Sequence, residues 1–331
     1  MIACNSHKSS DKPVPANGRS LPPQTRFNNP KVVVQSWYVA ARSADVRPGQ
    51  VKSYDLLNRR IALFRNEQGR IHAVDARCPH LGADLGQGRV EGDQLRCAFH
   101  GWRFDAAGAC CHAPGLDDIP NRHLRVYPTL ERWGLVWIFN GPQPLFDLPE
   151  TPVDAGRPCR PVRLPPQHIN CHPHLVIANG LDIPHLKALH GLVPAAPPTL
   201  IANRPYQLTV ELQGKPRSPW LQYLTGSRQR DFVANFTTIG ASLAWVAFQA
   251  PVRFHVLFSG RPAPQGGCQT QTVLFFPVDF GRHYFQAAAL MFALLHDDRR
   301  ILDGLNFLPG FTENDGVLEK FVNQVNGMNT W

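Results

Sequence analysis

Two short mixed pairs, Cys78-Pro79-His80 and Cys97-Ala98-Phe99-His100, stand sixteen residues apart in this chain. For all four side chains to meet, each pair must sit at the tip of a tight loop, so the chain around them must run as short hairpins. Gly82 and Gly101 follow the two pairs. Glycine tolerates tight turns and lets backbone N–H groups come close to a metal–sulfur centre. Trp102 is placed to shield such a centre from water.

A single cysteine or histidine is more often structural than a ligand, and zinc also accepts Cys2His2 sets. Zinc fingers, however, pair like with like, whereas here each loop mixes one thiol with one imidazole. Two thiolates on one iron and two imidazoles on the other are the ligand set of a Rieske [2Fe–2S] centre, which lifts its potential above that of an all-cysteine cluster. The Rieske proteins of respiratory and photosynthetic complexes carry an extra cysteine in each loop, joined as a disulfide. Ala83 and Phe99 occupy those places here, so the likeness is to soluble ferredoxins and oxygenases. A ferredoxin needs only about 100 residues for one domain, and this chain has 331.

A second constellation lies in Asn179-Gly180-Leu181-Asp182-Ile183-Pro184-His185, with His190 five residues on. Two histidines and one carboxylate on one octahedral face leave positions open for oxygen and substrate, the arrangement of non-haem Fe(II) oxygenases. Residues five apart on an ideal helix diverge by about 140°. His185 and His190 therefore converge only on an irregular helix, read here as a π-bulge, with Pro184 and Gly191 marking a short, broken one. Asp182 shares a face with His185, and its carboxylate is expected to accept the ring N–H turned away from the metal.

Together the two constellations resemble the catalytic (alpha) subunit of Rieske non-haem iron oxygenases, from about Ser36 onward. The resemblance implies an α+β chain: an N-terminal all-β Rieske [2Fe–2S] domain, then a helix-grip (START-like) catalytic domain with a curved antiparallel sheet. It implies cluster ligation by Cys78, His80, Cys97 and His100, and binding of a mononuclear Fe(II) by His185 and His190. Asp182 matches the bridging aspartate, which meets a cluster histidine of the neighbouring subunit, by analogy His100. Asn179 matches an asparagine near the iron. A glutamate usually precedes that asparagine, but Ala178 stands here.

The resemblance also asks for a late carboxylate at the start of a C-terminal helix, after a long apolar strand. Residues 284–295 read as that strand, followed by His296-Asp297-Asp298. Asp298 is favoured over Asp297 because Ile301 and Leu302 match an aliphatic pair three and four residues on. Asp297 then reads as a helix cap and Asp303 as a surface acid.

The organisation agrees with two domains: residues 1–30 a disordered tail rich in Ser, Pro and Asn, 31–145 the Rieske domain, and 146–331 the catalytic domain. Eight prolines between Pro142 and Pro166 mark the connection. Trp37 to Phe139 alternates short apolar runs with turn signals, and alternating strands fill much of 200–290. His172 and His174 would share a strand face and read as a strand entering the second domain rather than a metal clip. Cys110-Cys111 reads as structural. The eight cysteines make no disulfide scaffold, and a cluster with reduced thiols points to a cytoplasmic compartment. The longest apolar stretch, around 242–258, contains Pro251, Arg253 and His255, which argues against a membrane span.

The net charge is +9. With no basic-aromatic block, nucleic acid is not the expected partner; an acidic electron donor fits better. The chain has no flavin or nicotinamide fingerprint, so electrons must come from a separate NAD(P)H-dependent reductase, a ferredoxin, or both. The resemblance implies electron transfer between subunits, hence a head-to-tail ring, a homotrimer. It implies O2-dependent oxidation of a small molecule by hydroxylation, desaturation, demethylation or oxidative cyclisation, through monooxygenase chemistry. The segment from Cys78 to Val90 looks closest to the steroid-ring hydroxylase and sterol desaturase branch, and the phenylalanines at 232, 236, 248, 254, 258, 275 and 276 favour a hydrophobic, polycyclic substrate. The alternative is a Rieske electron carrier or redox sensor that lacks the second iron.

Overall fold

The computed structural model describes residues 25–217, 219, 222, 231–250, 252–281 and 283–331. Short strands build the first part as three antiparallel sheets. One is β1 (Trp37–Arg42), β11 (Leu135–Phe139) and β10 (Thr129–Arg132). A second runs β2 (Val51–Leu56), β3 (Arg59–Arg65), β4 (Ile71–Asp75) and β9 (Val126–Tyr127). The third is β5 (Arg89–Glu91), β6 (Gln94–Arg96), β7 (Arg103–Phe104) and β8 (Cys110–His112); Cys97-His100 lies in its β6–β7 loop and Cys78-His80 in the connection from β4 to β5. A small hairpin, β12 (Val153–Asp154) with β13 (Arg157–Pro158), lies in the proline-rich connection.

The second part is one nine-stranded antiparallel sheet. Its order is β14 (Arg160–Arg163), β22 (Cys268–Phe276), β21 (Phe254–Pro262), β20 (Leu243–Ala250), β19 (Phe232–Ile239), β18 (Gln207–Pro216) and β16 (Leu192–Pro194). β15 (Gln167–Ile169) also pairs with β22, and β17 (Thr199–Arg204) with β18. Side chains alternate across the sheet with period two, and both faces are covered. On one face Leu257, Val273 and Phe275 pack against Trp133, Trp137 and Phe139 of the first part. The opposite, inner face, with Phe236, Val246 and Val256, packs under the helices.

Those helices are α1 (Pro173–Ala178), α2 (Ile183–Ala188), α3 (His283–Leu302) and α4 (Gly316–Gly327). The end of the chain returns to the first part. Thr330 bridges to Val34, and the Trp331 ring lies under the guanidinium of Arg125 at 4.7 Å and edge-on to Tyr127. Among the described residues no helix is long and apolar enough to cross a membrane.

Four expectations need correction. Residues 284–295, read as an apolar strand, belong to the long helix α3. The run is built from Ala, Leu and Met, strong helix formers with no β-branched residue, and its buried positions Ala287, Leu290 and Met291 follow helical spacing. The expected tail is ordered from residue 25: Phe27 is buried and its N–H donates to the Asn326 side chain at 2.9 Å. Residues 1–24 lie outside the described residues. His172 and His174 are not on a strand; His172 caps α1, its Nδ1 accepting the His174 N–H. Phe275 faces the first part rather than the helices, because the strand alternates.

Candidate metal centres

The two mixed pairs sit on loops of the same construction. The Cys78 N–H donates to the Ala83 carbonyl (2.9 Å), and the Gly82 N–H returns to the Cys78 carbonyl (2.8 Å). Likewise the Cys97 N–H donates to the Trp102 carbonyl (2.8 Å), and the Gly101 N–H to the Cys97 carbonyl (3.1 Å). Gly82 and Gly101 have φ of +78° and +70°, conformations that L residues rarely adopt, which explains glycine at both places.

The thiols of Cys78 and Cys97 are buried, while His80 and His100 are exposed beside each other with ring centroids 4.6 Å apart. Trp102 stacks on His80 at 4.5 Å, nearly parallel, and so covers the histidine side as expected. Burial pushes the Cys78 thiol up to about 11, so a metal must displace its proton. Two buried sulfurs behind two adjacent imidazoles fit a cluster with one sulfur-bound and one nitrogen-bound iron. Asp84 ties this sheet to its neighbour, accepting from Ser53 Oγ (2.5 Å), the Gly86 N–H (2.8 Å) and Arg60 (3.1 Å). Cys111 lies in β8 with its Sγ against the Arg103 carbonyl.

The second constellation also assembles. His185 Nε2 lies 3.0 Å from His190 Nε2 and 3.0 Å from Asp298 Oδ1, and His190 Nε2 lies 2.7 Å from the same oxygen. Three donor atoms facing one point suit a cation held by two imidazoles and a carboxylate. Burial alone would raise the Asp298 carboxyl, but the two imidazoles outweigh it and hold it at about 2. Burial alone would lower the His185 imidazole, yet Asp298 outweighs it and the net shift is upward.

Each of the three is placed by a separate local device. Pro184 lies in the first turn of α2, where a missing N–H costs nothing, and Asp182 is its N-cap, Oδ1 accepting the His185 N–H at 3.1 Å. The expected bond from the His185 ring to the Asp182 carboxylate is replaced. His185 Nδ1 lies 3.3 Å from the Asp182 backbone carbonyl instead, because the carboxylate is already used as the cap. That contact still leaves Nε2 turned to the donor set. No π-bulge brings His190 in: α2 ends at Ala188, and His190 stands past its end, before Gly191 at φ +63°. Asp298 is not at a helix start but in the penultimate turn of α3, and Asp297 is a mid-helix residue rather than a cap. Asp303 is exposed and accepts the Asn170 N–H at 2.8 Å.

The three donors open onto a cavity between α1, α3 and the inner face of the sheet. Phe232, Phe236, Phe248 and Phe258 line it from the sheet; Met291, Leu294 and Leu295 line it from α3. Reading 284–295 as a strand concealed that second wall, which helical periodicity would have revealed. Asn179 also faces the cavity, beside Gly180. Among the residues missed in the sequence are Gln167, Thr270 and Thr272, polar positions on β15 and β22 that line the same space. No motif marks them; only the strand register places them there.

Comparison with known proteins bears on the first site and on the fold. Residues 36–128 match the Rieske [2Fe–2S] domain. The chain is 38% identical over 160 residues to a 4beta-methylsterol monooxygenase of Methylococcus capsulatus, covering 45% of this chain and 42% of that protein. It is 36% identical over 162 residues to a cholesterol 7-desaturase of Bombyx mori (47% and 35% covered). To the iron-sulfur subunit of a toluene-4-sulfonate monooxygenase system of Comamonas testosteroni it is 38% identical over 158 residues (46% and 45%). Each matched segment thus spans less than half of the relative's length. Among solved structures, dicamba monooxygenase bound to 3,6-dichlorosalicylic acid has a similar fold, with a TM-score of 0.64 at 21% identity over 89% of this chain and 97% of that one. Pseudomonas putida CBB5 NdmB gives 0.65 at 20% identity over 88% and 89%.

Proposed function

From a chain that carries a Rieske [2Fe–2S] domain and resembles the catalytic subunits of Rieske non-haem iron oxygenases, we propose an oxygenase component. It would oxidise a hydrophobic small molecule with O2 and electrons from a separate reductase or ferredoxin. The observation that carries this reading is the convergence of His185, His190 and Asp298 at the wall of an apolar cavity. A pure electron carrier has no use for either feature.

Cys78, His80, Cys97 and His100 would hold the cluster, and His185, His190 and Asp298 the iron. When bound, the cluster relays single electrons and the iron activates O2 next to the substrate. The chain's own residues do the rest. Asp182 fixes the start of α2 and the direction of the His185 ring. The aromatic and aliphatic lining excludes water and takes up an apolar substrate. Asn179 offers an amide at the cavity wall beside these donors.

His100 is exposed at the cluster surface and Asp182 is half-buried at the iron site. In a head-to-tail homotrimer the first would meet the second across an interface, making Asp182 the bridge between subunits. Domains at 31–145 and 146–331, and a cytoplasmic setting, complete the proposal. Its test is iron and sulfide quantitation on anaerobically purified protein. Three irons to two sulfides support it, with Asp298→Ala falling to two irons to two sulfides. Two to two in the unmodified protein would leave the electron carrier standing.

A further inference from the structure

The cavity is not uniform. Toward β18, β19 and β20 its wall is Leu212, Phe232, Ala234 and Phe248, with no polar side chain among them. Toward β15 and β22 it presents Gln167, Thr270 and Thr272. Thr270 Oγ1 already donates to the Gln167 carbonyl at 3.2 Å. Among the described residues the Gln167 amide and the Thr272 hydroxyl have no hydrogen-bond partner, and neither is sealed from solvent. They are therefore open to the cavity. Gln167 pairs with Thr270 across β15–β22, and Thr272 lies two residues along the same strand, so all three side chains share the inner face.

This polar wall has a fixed relation to the donor triad. The Gly304 N–H donates to the Asn170 carbonyl at 2.9 Å, and the Asn170 N–H donates to Asp303 at 2.8 Å. Those bonds pin the end of α3 against the end of β15. Asp298 lies one helical turn, about 6 Å along the axis, before that end. A molecule bound through Gln167 and Thr272 would share the cavity with Asp298 and with the phenylalanines of β19 and β20.

Charge narrows the ligand further. Among the described residues no lysine or arginine lines the cavity. An acid or sulfonate seated against β15 and β22 would meet no side-chain cation there and would carry a large desolvation cost. A hydroxyl or carbonyl oxygen, by contrast, can both accept from the Gln167 amide and exchange a hydrogen bond with Thr272.

We propose that Gln167 and Thr272 are specificity-determining residues that select a neutral, largely apolar substrate carrying one hydroxyl or carbonyl oxygen, and that reject anionic compounds. The proposal rests on the oxygenase reading and names the substrate class of that site. The test is equilibrium dialysis of the metal-loaded protein with three probes of one skeleton: androstanol, androstane and androstanol sulfate. Androstanol should bind roughly tenfold more tightly than androstane, as expected for hydrogen bonds gained in a dry site, and the sulfate more weakly than either. Gln167→Leu and Thr272→Val should each lower androstanol affinity several-fold and leave androstane unchanged, while Thr272→Ser should retain wild-type affinity. Equal binding of androstanol and androstane, tight binding of the sulfate, failure of all three to bind, or parallel loss of both neutral probes in the variants would overturn the proposal. Iron and sulfide content of the same samples judges the oxygenase reading separately, whatever the affinities show.

Discussion

Gly180 stands against the ring of Phe236, and that contact predicts what a single methyl group would do. A Cβ at Gly180 would lie 1.9 Å from Phe236 Cε2 and 2.4 Å from Cζ. Ordinary contact begins near 3.4 Å, so Gly180→Ala forces a movement of about 1.5 Å on one partner. Phe236 is only 6% exposed, and the open volume available to its ring is the cavity it lines. The glycine lies in the 3-10 turn Asn179–Leu181 immediately before the Asp182 cap, so the other way out displaces the start of α2. Over-packing of this kind costs about 1–3 kcal/mol. Replacing glycine at a φ below zero returns about 0.4–1 kcal/mol through the unfolded chain. The net is a loss of about 1–2 kcal/mol, which for a domain of this size lowers Tm by roughly 3–6 °C. Thermal unfolding followed by circular dichroism measures it, and Phe236→Leu in the same background supplies the control. If the ring is the obstacle, the smaller side chain restores most of the lost stability relative to Phe236→Leu alone, a coupling that a double-mutant cycle isolates. A Tm for Gly180→Ala equal to or above wild type, or two additive losses, would refute the reasoning.

Three other outcomes follow from the same geometry. Asp182→Asn keeps a side-chain oxygen for the cap and should preserve Tm and iron content, yet abolish turnover with the physiological donor if the carboxylate bridges subunits; normal coupled turnover would sink the bridge. Trp102→Ala removes the ring stacked on one face of His80 and should speed the aerobic bleaching of the cluster's visible absorbance several-fold, whereas an unchanged rate would show that the ring shields nothing. Burial lowers the His172 imidazole from 6.5 to about 4, so its neutral form is favoured on folding and the stability it carries is whole above pH 6.5 and lost as pH falls toward 4. By linkage that is about 2 kcal/mol gone by pH 5. Urea unfolding of His172→Asn, which can still cap α1, should show a smaller loss between pH 7 and pH 5; a loss as steep as wild type would place the acid sensitivity elsewhere.

The parts of the molecule that a sequence reader can see are those whose geometry depends on residue type alone. Gly82 and Gly101 had to be glycine because the loops turn through positive φ, and the strands from Phe232 to Phe276 show themselves by alternation. What stayed hidden depended on partners far along the chain. The apolar run 284–295 suits a buried strand by hydrophobicity alone, and only its Ala, Leu and Met content and the helical spacing of Ala287, Leu290 and Met291 mark the helix. The direction of the His185 ring is hidden for a similar reason: the carboxylate of Asp182 has two tasks open to it, and the free N–H groups at the start of α2 claim it first. Gln167 and Thr272 carry no motif, and their meaning arises only when β15 pairs with β22.

The two centres are built on opposite plans. Each cluster loop closes on itself: Cys78 bonds to residues four and five further on, and Cys97 does the same, so each loop is held by bonds between near neighbours in the chain. The second donor set joins His185 to Asp298 across 113 residues and holds only while α2, α3 and the inner face of the large sheet stay packed. Substitutions along that sheet therefore reshape the cavity and the donor triad together and leave the cluster loops alone. A scaffold divided in this way can change its cavity without changing the cluster loops. The lining of β15, β19, β20 and β22 is where differences in substrate among chains of this fold should concentrate.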